Sequence, residues 1–196
     1  WLIPSMKDYP KIVAPFAQPN VPYKPFHRDP ETLARKWAVP GMAGCEHRVG
    51  GLEKNHDGVI SSDPANHELM CRERYEKVQR VPVPKLEVEC GPLKGGRLLV
   101  VSWGGTYGHV ASAITEALGE GYDVAHAHFD YIMPLPSNTA DVFANYDKIL
   151  VCELNSGQFV NYLRAELPEF KYVQLNKVQG QPFLIQEIVE AIKSNY

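Results

Sequence analysis

Residues 98–114 read LLVVSWGGTYGHVASAI. A solid apolar block runs through a glycine-rich turn into an amphipathic pattern. That succession predicts a strand over about 97–102, a tight loop, and a helix over about 107–118. In this helix Val110, Ile114, Ala117 and Leu118 share one face, and Gly119 stands near its end. The loop Ser102-Trp103-Gly104-Gly105-Thr106 has two readings: it cradles a phosphate at the helix start, or it only turns the chain against a neighbouring surface. G-G-T-Y-G is neither G-x-G-x-x-G nor a P-loop, and no Lys follows its last glycine. Asp130 is the acid nearest the end of the next strand. The position of Trp103 at the corner favours a contact surface.

The same alternation continues downstream. Strands are expected at about 123–129, 148–153 and 171–176. A short helix is expected at 138–145, and a third beginning with Ser156 as N-cap and closing at Pro168. A fourth helix starts near Pro182 and carries Phe183, Leu184, Ile188 and Ile192. Short, continuously apolar strands are those of a parallel sheet covered on both faces. The fold class is therefore α/β, a doubly wound and mostly parallel sheet. Function in such sheets gathers at the carboxyl ends of the strands, which here also include Tyr131–Pro134, Glu153–Ser156 and Asn176–Gly180.

Several residues at these ends are site candidates. Glu153, beside Asn155, is either a general base or the cap of a neighbouring helix. His126 and His128 alternate on one strand and face the same side; a two-histidine metal half-site would need a third ligand, and none is signalled. Ser102, Gly104, Gly105 and Thr106 are candidates for a ligand edge, with Trp103, Gln158 and Lys177 as candidates for an interface.

Residues 1–92 are built differently. They hold 12 of the 16 prolines and 13 basic against 12 acidic residues, a charge of +1; the remainder, with 7 basic and 11 acidic, carries −4. Prolines at 4, 10, 15, 19, 22, 25 and 30 keep the chain extended. The segment reads as an arm lying on a partner surface or as a disordered linker. Its Trp1, Phe16, Tyr23, Phe26 and Trp37 argue against disorder. One helix stands out near 64–80, with Asp63 as N-cap and Pro64 at its first position. Glu68–Arg72, Glu73–Lys77 and Glu76–Arg80 are spaced as i,i+4 pairs. In CEHRVGG, residues 45–51, His47 and Arg48 offer two anion donors; alternatively the segment is a turn pinned by an Arg–acid pair.

Composition excludes some classes. A net charge of −3 over 196 residues leaves no footprint for nucleic acid or anionic membrane. No run approaches the roughly 20 apolar residues of a membrane helix. The cysteines at 45, 71, 90 and 152 form no C-x-x-C pair, so neither a cysteine zinc site nor an iron–sulfur cluster is signalled. A cytoplasmic protein is the simplest expectation, and the absence of an initiator Met suggests a piece of a longer polypeptide.

Five blocks carry a resemblance: WAVPGMAGCEHRVGGLEKNHDG, DPANHELMCRERYEKV, VSWGGTYG, CELNSGQF and LNKVQGQPF. In this order they resemble the C-terminal part of the alpha subunit of 2-oxoglutarate:ferredoxin oxidoreductases, in the 2-oxoacid:acceptor oxidoreductase family. The resemblance implies that residues 93–196 form a domain similar to the C-terminal domain of transketolases. Residues 1–92 would be the crossover from the preceding cofactor domain. The whole enzyme would use thiamine diphosphate, Mg2+ and a [4Fe-4S] cluster, with CoA, ferredoxin and a beta subunit as partners. No G-D-G-x-N-type thiamine motif occurs here, so the resemblance implies that this part binds no cofactor itself, contributes no catalytic residue, and serves docking. The rival readings are a small-ligand (phosphate or nucleotide) binding α/β module and a purely structural assembly domain.

Overall fold

The computed structural model describes residues 3–196. Trp1, one of the aromatics that argue for an ordered arm, lies outside them. The chain divides into two compact units, Trp1–Val81 and Pro82–Tyr196.

The second unit is a five-stranded sheet in the order β1-β3-β2-β4-β5. Its strands are β1 (Val88–Cys90), β2 (Gly96–Trp103), β3 (Val124–Phe129), β4 (Tyr146–Glu153) and β5 (Tyr172–Asn176). The last four pair in parallel; β1 runs antiparallel along β3. The sheet is α/β and mostly parallel, as the apolar blocks require. The edge strand β1 is an addition to that reading. It has three residues and only Val88 with an aliphatic side chain, too short for period-2 alternation to show.

Helices cover both faces. α2 (Tyr107–Gly119) and α5 (Ile185–Asn195) lie on one, α3 (Thr139–Phe143) and α4 (Gln158–Glu166) on the other. Alternate residues of β2 divide between them: Leu98 and Val100 pack with Val110, Ile114, Ile188 and Ile192, while Leu99 and Val101 pack with Phe143, Phe159 and Leu163. Full burial of each such aliphatic side chain contributes about 1.5–3 kcal/mol, against tenths for an exposed ion pair, so the two cores hold the unit together. Two apolar residues expected inside are exposed, Leu118 and Leu184. Each flanks a helix end, where the buried stripe has turned away. α5 starts at Ile185, later than Pro182 suggests, because the Glu187 carboxylate accepts from the Leu184 amide and sets the first turn there.

The first unit has one long helix, α1 (Pro64–Gln79), capped by Asp63 as expected. The rest is extended chain and turns tied by isolated bridges, among them Phe16 with Trp37 and Arg28 with Arg35. Cations satisfy its backbone: Lys54 Nζ, almost wholly buried, donates to the carbonyls of Gly50 and Leu52, and Arg80 Nη1 to those of Pro30 and Glu31.

Two of the three expected helix ion pairs are not formed. Glu76 binds Arg80 at 3.1 Å, whereas Glu73 turns inward to Arg28 at 2.7 Å and His56 at 3.1 Å. Arg72 reaches forward to Glu76 at 3.9 Å rather than back to Glu68. Sequence spacing treats the helix as isolated; here a buried guanidinium outcompetes exposed Lys77 for Glu73. Glu73→Ala therefore strands Arg28, whose side chain is 8% exposed, and should cost about 3 kcal/mol. Arg72→Ala, on the exposed side, should cost under about 0.5 kcal/mol. Denaturant unfolding of the two variants checks the contrast.

Candidate functional site

Parallel pairing sets Trp103 beside Phe129 and Glu153 beside Asn176. The loops 102–106, 131–134, 153–156 and 176–180 therefore line one edge of the sheet, as expected. Exposed apolar side chains gather along it: Tyr107, Tyr131, Met133, Leu154, Val178 and Leu184.

The turn after β2 is tight. Gly104 takes φ +58°, a left-handed conformation that favours glycine, and opens a single 3-10 turn over Gly104–Thr106 that leads directly into α2. Thr106 Oγ1 donates to the Trp103 carbonyl at 2.7 Å and accepts from the Trp103 amide at 3.2 Å. Trp103 is only half-buried, with its ring edge-on to Phe159 at 6.3 Å and its indole nitrogen buried without a partner. It is thus drawn further inward than a rim contact, because its side chain alternates onto the α4 face.

Ser102 points the other way, toward α2. Its hydroxyl lies 2.7 Å from His126 Nε2 and 2.7 Å from His128 Nδ1. A hydroxyl carries one proton, so it donates to one ring and accepts from the other. The three form a hydrogen-bond chain from half-buried His128 to fully buried His126, roofed by the Tyr107 ring at 5.0 and 5.6 Å. Sequence alternation correctly set both histidines on one face; only the pairing of β2 with β3 reveals Ser102 between them. The Ser102 hydroxyl bridges the two facing nitrogens, and among the described residues no third Cys, Asp, Glu or His ligand is grouped with them. His126 Nδ1 is buried without a partner, so no carboxylate orients the ring as a nucleophile's base would require. Burial pulls the His126 pKa down to about 4, against an opposing pull from the Glu89 charge. Glu89 also holds the Tyr107 hydroxyl above its ordinary value. The hydroxyls of Ser102 and Thr106 are both committed internally, which fits a strand-to-helix turn better than a phosphate cradle.

Glu153 is fully buried, and both its oxygens accept helix-start amides: Phe159 N at 2.7 Å and Val160 N at 2.8 Å. Of the two sequence readings, this geometry is that of the helix cap. Asn155 Oδ1 accepts from the amides of Gly157 and Gln158 at 2.8 and 2.9 Å, so Asn155, not Ser156, supplies the side-chain cap. The N-cap position itself is Gly157, at φ +95°, where an added Cβ would come within 3.2 Å of Asn176 Nδ2. Gln158 is exposed at this edge. Lys177 is not: its ammonium binds Glu187 at 2.8 Å with the side chain 8% exposed.

Elsewhere, His47 Nδ1 contacts the Cys45 carbonyl at 2.8 Å and the ring meets Tyr23 edge-on. With Arg35, Lys36 and Trp37 it lines an open groove of about 490 Å³. Arg48 is exposed and forms no ion pair among the described residues, so no Arg–acid pair pins this turn. The cysteines are dispersed. Burial pushes the Cys152 thiol up to about 12, and Cys90 is raised by the same cause.

No protein-family model matches the chain. The 2-oxoglutarate oxidoreductase subunit KorA of Mycobacterium tuberculosis is 42% identical over 199 residues, taking in 99% of this chain. A solved 2-oxoglutarate:ferredoxin oxidoreductase from Magnetococcus marinus matches 98% of it at a TM-score of 0.84 and 29% identity. The chain belongs to the 2-oxoacid:ferredoxin oxidoreductase alpha-subunit family. Subunit alpha of 2-oxoacid:ferredoxin oxidoreductase 1 from Aeropyrum pernix is a further relative, 26% identical over 90% of the chain. This alpha-subunit segment spans 30% and 28% of the lengths of the two sequence relatives and 34% of the M. marinus chain.

Two outcomes test the edge. Glu153→Gln leaves one buried amide facing an NH2 group and should cost about 1–3 kcal/mol in denaturant unfolding. His126 stays neutral in the fold down to about pH 4, while the unfolded chain titrates near 6.5. The unfolded state then binds more protons in that window, so stability is complete above about pH 6.5 and falls as the pH drops toward 4, by about 3 kcal/mol in all. The difference in unfolding free energy between wild type and His126→Gln, followed across those pH values, should shrink as acid is added.

Proposed function

We propose that the chain is part of the alpha subunit of a 2-oxoglutarate:ferredoxin oxidoreductase, which converts 2-oxoglutarate and CoA to succinyl-CoA and CO2 and passes electrons to ferredoxin. The observation that carries this reading is the 42% identity to KorA over 99% of the chain. It agrees with the M. marinus structure, which has 2-oxoglutarate, coenzyme A and succinyl-CoA bound.

Within that enzyme the chain's own residues serve docking. Thiamine diphosphate would supply the carbanion chemistry, with Mg2+ holding its diphosphate and a [4Fe-4S] cluster carrying electrons. The residues here do not fit these groups. Glu153 has both oxygens on α4 amides, and Glu187 is committed to Lys177 and the Leu184 amide. Cys45 and Cys152 are buried singly, in different units. The cofactors are therefore assigned to the rest of the alpha subunit and to the beta subunit. The apolar side chains along the carboxyl edge are the surface for that contact: depletion of charge and presence of Tyr and Met mark an interface core. The arm, with Ile12, Trp37 and Val49 mostly exposed, would lie against the same assembly. No described helix is long and apolar enough to cross a membrane, and the unpaired cysteines support a cytoplasmic setting as part of this reading.

In the reconstituted alpha–beta complex, 2-oxoglutarate should be oxidised in preference to pyruvate and branched 2-oxoacids; equal rates on all would remove the substrate assignment. Leu154→Asp with Val178→Asp should leave unfolding of the chain within about 0.5 kcal/mol per site. The same pair should weaken assembly at least about tenfold in sedimentation or calorimetry.

A further inference from the structure

We propose that Glu53, His67 and Cys71 form a binding site for a divalent transition-metal ion of the zinc class. The site lies wholly in the first unit. His67 and Cys71 are four residues apart on α1, so both project from one face of the helix. Glu53 comes from the segment before it. A ligand atom from each lies within 4.8 Å of the others. The imidazole Nδ1 is 2.6 Å from Glu53 Oε2, and Cys71 Sγ is 3.7 and 3.9 Å from the two ring nitrogens.

Ligand chemistry selects the ion. A thiolate with an imidazole suits Zn2+ or Co2+ and does not suit Mg2+ or Ca2+, which take oxygen. Metal–ligand bonds of about 2.0–2.3 Å in a tetrahedron put neighbouring ligand atoms roughly 3.3–3.6 Å apart. The sulfur–imidazole separation is already close to that. The carboxylate–imidazole contact has to open by less than an ångström, and His67, with its side chain 69% exposed, has room to turn. Three protein ligands leave the fourth position to solvent.

Arg74 organises the site from outside. Its Nη1 donates to Glu53 Oε1 at 2.8 Å and its Nη2 to Cys71 Sγ at 3.2 Å. The guanidinium holds two would-be anions in place through atoms and lone pairs the metal does not need, and leaves Glu53 Oε2 facing the gap. It also opposes the cation's charge, which makes this a site of moderate affinity. The imidazole binds the metal in its neutral form and Cys71 binds as the thiolate, so the thiol proton leaves and affinity rises with pH. The pattern H-x-x-x-C stands in the sequence, but it lacks the paired cysteines that mark a zinc site.

The test uses the tag-free 196-residue chain after chelator treatment, with Co2+ as optical probe and Zn2+ as competitor. One equivalent of Co2+ should give a thiolate-to-cobalt charge-transfer band with tetrahedral visible bands, erased by one equivalent of Zn2+ and untouched by Mg2+. Cys71→Ser should abolish the charge-transfer band, and His67→Gln should weaken Zn2+ binding by more than about tenfold in calorimetry. Cys90→Ser, outside the site, should leave both unchanged. A wild-type chain with no charge-transfer band, or a band that survives Cys71→Ser, overturns the proposal.

Discussion

One buried carboxylate organises the carboxyl edge of the sheet. Glu153 ends β4, and its two oxygens take the first amides of α4, while its own carbonyl accepts from Lys177 at 3.0 Å. The same residue thereby fixes where α4 starts, how it leans on the sheet, and where β5 gives way to its loop. A carboxylate so deep is tolerable because each oxygen is met by a helix-start amide and the macrodipole favours its charge. An apolar residue would leave two amides unpaired in the core. Glycine at 157 is part of the same arrangement, since only a left-handed residue without a side chain lets the backbone curl around the carboxylate beside Asn176.

The two faces of β2 carry different chemistry to that edge. On the α4 side, Trp103 continues an aromatic layer through Phe159 and Phe129. On the α2 side, Ser102 interrupts the apolar run with a hydrogen-bond chain through two histidines. Polar groups this deep are costly unless joined to one another; the Ser102 hydroxyl joins His126 Nε2 to His128 Nδ1, and His126 Nδ1 stays buried without a partner. The proposed docking strip would rest on side chains already held by these contacts, so that binding need not order them first.

The parallel sheet was legible because the signal is strong: LLVV at 98–101 and KILV at 148–151 can be little else than buried strands between helices. The alternation of His126 and His128 also foretold their shared face. What the sequence hid was pairing between distant elements. Nothing near Ser102 announces the histidines 24 and 26 residues away, and nothing near Glu73 announces Arg28. Local spacing overvalued i,i+4 pairs on α1 for the same reason: it ignores partners outside the helix. β1 was missed because three residues carry no period. The five motif blocks went further than physical reading, since they pointed to a family in which one relative matches 99% of the chain and a solved structure 98%.

The uneven placement of tryptophan makes the chain its own optical instrument. Trp103 is half-buried against Phe159 in the sheet unit, and Trp37 is 65% exposed in the other. Their indoles sit in different dielectric surroundings, so their emission separates in colour, the sheet-borne ring to the blue and the arm's ring to the red. With Trp1 replaced as well, swapping either for phenylalanine isolates the other as a reporter. Assembly that dries the arm would then be read as a blue shift of Trp37, while loosening of the α4 layer would appear as a red shift of Trp103, each without any added label.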